Sequence, residues 1–160
     1  MKTIKTNAVR LLDASGIPCE ERVYDISDGR IDALAIAEKL GESPDQVFKT
    51  LVTVSDKKSF FVFVVPASAE LDLKKAASAA GVKSIEMIPL KTLFPLTGYV
   101  HGGCSPVGMK KFFPTFIDET ACLFDHICVS AGAVGANISI DPEALARFLP
   151  AAFADISRPR

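Results

Sequence analysis

The sequence has no tryptophan and only two tyrosines, two histidines and three methionines. So little histidine leaves few routes to general-base chemistry. A Ser-His-Asp triad would have to use His101 or His126, and neither sits in a distinguishing context. Also missing are G-x-S-x-G, H-E-x-x-H, the Walker phosphate loop and the Rossmann glycine fingerprint. An excess of charge is missing as well. Lys and Arg number 18 against 19 Asp and Glu, for a formal net charge of −1. No global field draws such a chain to nucleic acid, so DNA is not an expected partner and any RNA contact is local or assisted by a partner protein. No apolar run is long enough to span a bilayer. The opening Met1-Lys2-Thr3-Ile4-Lys5 leads into an amphipathic segment and not a signal core. The expectation is a cytoplasmic protein with no membrane partner.

The four cysteines, Cys19, Cys104, Cys122 and Cys128, form no C-x-x-C pair, and in a reducing compartment they are free thiols. A zinc site assembled from His101, Cys104, Cys122, His126 and Cys128 matches no structural-zinc spacing, so no metal and no cofactor is expected. A thiol-based redox or metal protein using Cys104 and His101 is the reading this disfavours.

What is present is a chain of 160 residues, 49% hydrophobic and 23% charged. That suits one globular domain over residues 1–160 with a real core. The chain is organised around Gly98-Tyr99-Val100-His101-Gly102-Gly103-Cys104-Ser105-Pro106-Val107-Gly108. A Gly-Gly pair lets the backbone take positive φ and approach a ligand, and Ser-Pro fixes the exit. Such a loop either joins two strands tightly or presents N–H groups and a hydroxyl to a carbonyl or phosphate oxygen.

Periodicity predicts an N-terminal helix through Ile4, Ala8, Leu11 and Leu12, an extended run over 17–26 and a second helix over 31–40. Ser43-Pro44-Asp45-Gln46 has the form of a capping box opening one short helical turn. Strands over 47–55 and 59–65 read as an antiparallel hairpin. The second is apolar on both faces and therefore central. Lys49, on the face of Leu51 and Thr53, is either an edge lysine, the default on residues alone, or a cation placed beside a cavity. A helix over 71–80, a short strand over 84–88 and a short helix from Pro89 to about Phe94 follow. The strand over 112–117 contains Pro114, which predicts an edge or bulge. Asp118-Glu119-Thr120 starts a helical turn. A strand over 127–130 runs into a small-residue loop, Ala131 to Gly135, and a further strand over 136–140. Asp141-Pro142-Glu143 caps a last helix, and 153–156 adds a closing strand. Strands and helices mix without strict alternation. The fold class is therefore α+β: one domain, a curved mixed sheet or partial barrel flanked by helices.

The scarcity of nucleophiles implies that an enzyme built on this chain works by positioning and by oxyanion-type contacts. Lys49, the Gly102-Gly103 backbone and the hydroxyls of Ser105 and Ser130 are what it has. A half-buried strand tyrosine, Tyr24, is core by default and a pocket hydroxyl otherwise.

Four segments in register carry a resemblance. Pro44-Asp45-Gln46-Val47-Phe48-Lys49-Thr50-Leu51, Leu71-Asp72-Leu73-Lys74-Lys75, Gly98-Tyr99 to Lys111 and Pro114-Thr115-Phe116-Ile117-Asp118 resemble the YbaK/EbsC family, which is similar to the editing domain of bacterial prolyl-tRNA synthetases. The resemblance implies that fold and a trans-editing hydrolase acting on mischarged aminoacyl-tRNA, with Cys-tRNA(Pro) first among substrates. It implies a substrate-assisted reaction with no protein nucleophile or metal. Lys49, Gly102 and Gly103 match its catalytic positions; Tyr24, Thr50, Ser105, Pro106, Ser130 and Asn137 fall at its pocket positions. Implied partners are aminoacyl-tRNA, above all tRNA(Pro), and a prolyl-tRNA synthetase. The chain departs from the family where Ser-Gly-Gly-Lys-Arg-Gly and an acid are replaced by Ser130-Ala131-Gly132-Ala133-Val134-Gly135-Ala136-Asn137. Two cations that could meet phosphate are absent, and Ala133-Val134 could line a reshaped pocket. The alternatives are a deacylase for another small aminoacyl-tRNA such as Ala-tRNA(Pro), and a non-catalytic aminoacyl- or nucleotide-binding module.

Overall fold

The computed structural model describes residues 5–160; Ile4 of the expected first helix lies outside them. The first helix, α1 (Asn7–Ala14), starts where the Thr6 side chain accepts from the Val9 N–H and buries Ala8, Val9 and Leu12. β1 (Cys19–Val23) leads to α2 (Ala33–Leu40), capped by Asp32. Ser43 to Gln46 is a turn and not a helical turn. Ser43 does cap the Asp45 N–H. Gln46, however, sends its amide to the His126 carbonyl, and its own carbonyl accepts from the Cys128 N–H. The box is half made, and tertiary partners take the other half.

β2 (Phe48–Ser55) and β3 (Phe60–Pro66) form the expected antiparallel hairpin, with Lys49 opposite Val65. β4 (Ala69–Leu71), α3 (Leu73–Ala80) and β5 (Ile85–Met87) follow. The short helix after Pro89 continues further than expected: a 3₁₀ turn gives way to α4 (Leu93–Thr97). Pro95 lies in the first turn of α4, where it removes no helical hydrogen bond.

β6 (Thr115–Asp118) is not an edge strand. Pro114 sits just outside it and contributes only a carbonyl, which accepts from the Val62 N–H. β7 (Ile127–Ala133) and β8 (Ala136–Ile140) absorb most of the small-residue loop, leaving a turn at Val134 and Gly135 and a register shift between Ser130 and Ala133. α5 (Pro142–Phe148) precedes β9 (Ala151–Ala154) and β10 (Ser157–Pro159), so the expected closing strand is two strands around buried Ile156.

The strands form a five-stranded sheet in the order β5-β2-β3-β6-β9, a three-stranded sheet β1-β8-β7 and a pair β10-β4. This is a mixed α+β fold, with β6 parallel to both neighbours, and not a closed barrel. β3 is buried on both faces. Val62 and Val64 join the core beneath α1 and α5, while Phe63 and Val65 join a second core against α3. The two larger sheets meet where Val47 bridges Cys128. β2 is an inner strand, yet β5 pairs it only over Thr53–Ser55, which leaves its Lys49 end open on one side.

Candidate active site

The open end of β2 faces a cavity of about 290 Å³. Lys49, Thr50 and Leu51 come from β2. Ile31, Asp32 and Ile36 come from the start of α2. His101, Gly102 and Cys104 come from the glycine loop, Ser130 and Asn137 from β7 and β8, and Arg160 from the end of the described chain. Ser130 and Asn137 are cross-strand partners, which brings both to the rim from one ladder position.

Lys49 is half-buried and donates to the Ala69 carbonyl at 3.0 Å. Arg160 donates to the Ala67 carbonyl at 3.2 Å, so carbonyls two residues apart, one in the turn after β3 and one at the start of β4, hold two cations at one wall. Burial, and then the nearby Arg160 charge, lower the Lys49 pKa, with Glu70 opposing. Three side-chain oxygens are buried without a hydrogen-bond partner among the described residues, and two of them, Thr50 Oγ1 and Asn137 Oδ1, belong to cavity-lining residues; the third is Glu21 Oε1. A buried polar atom left unpaired costs about 1–3 kcal/mol. Both sit on cavity-lining residues, where Asn137 Oδ1 can accept and the Thr50 hydroxyl can accept or donate.

The glycine loop is shaped by packing. Gly102 has φ +87°, and a Cβ there would fall 2.6 Å from Ile31 Cδ1 at the cavity wall. At Gly103 a Cβ would lie 2.8 Å from the Val134 backbone nitrogen, and its own N–H donates to the Val100 carbonyl. Gly103 thus seats the loop against the β7–β8 turn, while Gly102 lines the cavity. Tyr99 braces both loops, lying over Gly132 and donating to the Val107 carbonyl; burial pushes its pKa to about 12.

Five of the expected residues, Lys49, Thr50, Gly102, Ser130 and Asn137, therefore line one cavity. Ser105 is fully buried, its hydroxyl accepting from the Val107 N–H within the loop. Pro106 lines a separate cleft. Tyr24 packs in a core cluster with Ile36, Leu40 and Val47. Ala133 and Val134 pack on the glycine loop and do not line the cavity, because Gly103 lets that turn approach too closely to leave a gap. Arg160, Asp32 and Leu93 carried no sequence signal: a terminal arginine, a helix cap and a helix apolar residue have ordinary reasons to be there.

Among the described residues that line the cavity, no thiol or hydroxyl is hydrogen-bonded to a base. Burial pushes the Cys104 thiol to about 12, so it stays neutral. Ser130 Oγ is bonded to the Gly132 N–H, and Asp32 caps α2 through the Ala35 N–H. The imagined zinc set is not assembled. Among the described residues, the one group whose ligand atoms lie within reach of one another is Glu42, His126 and Cys128, none of which lines the cavity.

The fold is mixed α+β, with one cavity walled by Lys49 and Arg160 and bordered by the polar side chains of Ser130 and Asn137. Residues 31–148 match the model of the aminoacyl-tRNA editing domain. A protein of Enterococcus faecalis, named as a candidate Cys-tRNA(Pro)/Cys-tRNA(Cys) deacylase EbsC, is 45% identical over 153 residues, 96% of this chain and 93% of that one. A proline–tRNA ligase of Shouchella clausii is 30% identical over 99 residues, 62% of this chain and 17% of the ligase. A crystal structure described as a candidate trans-editing enzyme for prolyl tRNA synthetase matches with TM-score 0.82 and 25% identity, over 96% of this chain and 98% of that one. The chain belongs to the aminoacyl-tRNA editing domain family. It is a hydrolytic editing enzyme whose substrate is an aminoacyl-tRNA. No helix among the described residues is long and apolar enough to cross a membrane.

Proposed function

We propose that the chain, acting as one domain over residues 1–160, removes cysteine from Cys-tRNA(Pro) by a substrate-assisted reaction in the cytoplasm. The observation that carries this reading is the make-up of the cavity: a half-buried lysine, two unpartnered buried oxygens, and a neutral thiol where a nucleophile would have to be. The substrate's own sulfur then supplies the nucleophile. It attacks the ester carbonyl, a C–S bond forms, the bond from that carbon to the ribose oxygen breaks, and the thiol proton passes to the ribose oxygen. Water opens the thiolactone to free cysteine. Thr50 and Asn137 offer acceptors to the α-ammonium and ribose hydroxyls. Lys49 sets a positive charge where the carbonyl oxygen becomes anionic, and the Gly102 backbone closes over it.

The relatives' names favour cysteine as the amino acid and tRNA(Pro) as the carrier, with a prolyl-tRNA synthetase as the partner that presents it. The test is parallel hydrolysis of Cys-tRNA(Pro), Ala-tRNA(Pro) and Pro-tRNA(Pro). Loss of the cysteinyl ester alone is expected. Comparable loss of the alanyl ester would overturn the thiol-assisted step, since alanine has no thiol. Retention of all three would indicate a binding module.

A further inference from the structure

Between Glu86 and Asp118 the sequence contains no acidic residue, although acids outnumber bases in the chain as a whole. The segment carries Lys91, Lys110 and Lys111, all exposed. It also carries two aromatic rings left in solvent, Phe94 at 56% and Phe112 at 65% exposure. Lys110 Nζ lies 5.4 Å from the centre of the Phe94 ring, so a cation and a π-face share one patch.

This patch adjoins the catalytic cavity. Leu93, His101 and Gly102 line the cavity, and each neighbours or belongs to the acid-free segment. Further along the same loop, Pro106 opens a second cleft of about 140 Å³, walled by Lys111, Phe112 and Phe113. The glycine loop therefore lines the reaction cavity through His101, Gly102 and Cys104 and the aromatic, lysine-bearing cleft through Pro106 and Gly108.

We propose that this strip seats the single-stranded 3′ end of the aminoacyl-tRNA. Phe94 and Phe112 stack on its unpaired bases, and Lys91, Lys110 and Lys111 meet its phosphates. The proposal rests on the deacylase reading above. Single strands are held by alternating stacking faces and cations. A protein partner docked on the same face would bury the lysines at the centre of its interface, where charge is normally depleted. The strip also supplies local cations to a chain whose late loop, Ala131 to Asn137, has none.

The experiment gives the wild-type protein and two variants two ester substrates: cysteinyl-tRNA(Pro) and the short cysteinyl ester of adenosine, which has no upstream nucleotides. The variants are Lys110→Glu with Lys111→Glu, and Phe112→Ala. On the tRNA ester the double lysine variant is expected to lose ten-fold or more in kcat/KM, through KM, with a flatter salt dependence. Phe112→Ala is expected to lose about five-fold or more. On the adenosine ester each loss is smaller by several-fold, and Tm is unchanged. Equal losses on both esters, or no loss on either, would overturn the proposal while the deacylase reading stands. A loss seen only when prolyl-tRNA synthetase is added would make the face a protein interface and also overturn it. If the wild type cleaves neither ester, the deacylase reading fails and the proposal falls with it.

Discussion

Gly102 and Gly103 are adjacent and lack side chains for different reasons, which separates their variants. Gly102→Val puts a β-branched residue at φ +87° and pushes a side chain at Ile31 Cδ1, the movable end of a cavity-wall residue. The left-handed conformation costs about 1–2 kcal/mol. The expected result is loss of most deacylation with a Tm drop of a few degrees, about 2–4 °C per kcal/mol at this size. Gly103→Ala meets backbone at 2.8 Å, which cannot move without shifting the β7–β8 turn. It is expected to lower Tm at least as much although its methyl does not enter the cavity. Thermal melts beside single-turnover rates check both, and a Gly103→Ala variant as stable as wild type would contradict the close approach. Of the residues singled out in sequence, Gly102, Lys49, Thr50, Ser130 and Asn137 line the cavity and Gly103 does not: Gly102 stood out through spacing, Lys49 and Ser130 through residue type and the family resemblance, Thr50 and Asn137 through the resemblance alone. Arg160 was not legible in sequence, because its position depends on β10 pairing with β4, a contact between distant segments. Tyr24 shows the converse: its position was noted, but burial among Ile36, Leu40 and Val47 is decided by how α2 packs.

Among the elements, β3 was the most legible, since an unbroken apolar run can only be covered on both sides. Phe63 is fully buried and stacks on Phe116 with ring centres 5.4 Å apart. Phe63→Ala is expected to cost about 3–5 kcal/mol. Urea unfolding checks this, and a loss under 1 kcal/mol would mean that the second core collapses around the gap. β6 was misread because Pro114 was placed inside the strand; one residue outside, its missing N–H does no harm. A second element-scale effect joins β7 to the end of α2. His126 Nε2 lies 3.1 Å from Glu42 Oε2 and Nδ1 2.9 Å from Asp125 Oδ1. These bonds, that to Glu42 foremost, raise the His126 pKa above its ordinary 6.5. The protonated form is favoured by folding, so its contribution is fully present below 6.5 and disappears as pH rises through the elevated value. Stability of the wild type should fall over that window, and His126→Gln should flatten the fall. Parallel urea midpoints against pH for the two proteins would contradict the pairing. The side chain is 38% exposed, so the effect is small.

At the scale of the whole molecule, the α+β class followed from the mixture of patterns, but the division into three sheets did not. Hydrophobic periodicity reports which face of a strand is buried; it does not report which strand lies beside it. The cavity exists because two of those sheets meet at Val47 and Cys128 while β5 stops short of Lys49. That arrangement leaves one lysine half-buried with its charge opposed by burial and by Arg160. A depressed lysine pKa means that burying the cation weakens the fold, so the charge is retained at some expense of stability. Its removal should leave the fold intact or strengthen it and should remove the activity.

The measurement that tests this most directly is single-turnover deacylation of Cys-tRNA(Pro) by wild type and Lys49→Met, with Tm recorded for both. The account predicts a loss of about 100-fold or more, the scale of one electrostatic contact in the transition state, with Tm unchanged or raised. A rate within a few-fold of wild type, or a collapse of Tm that accounts for the lost activity, would contradict it.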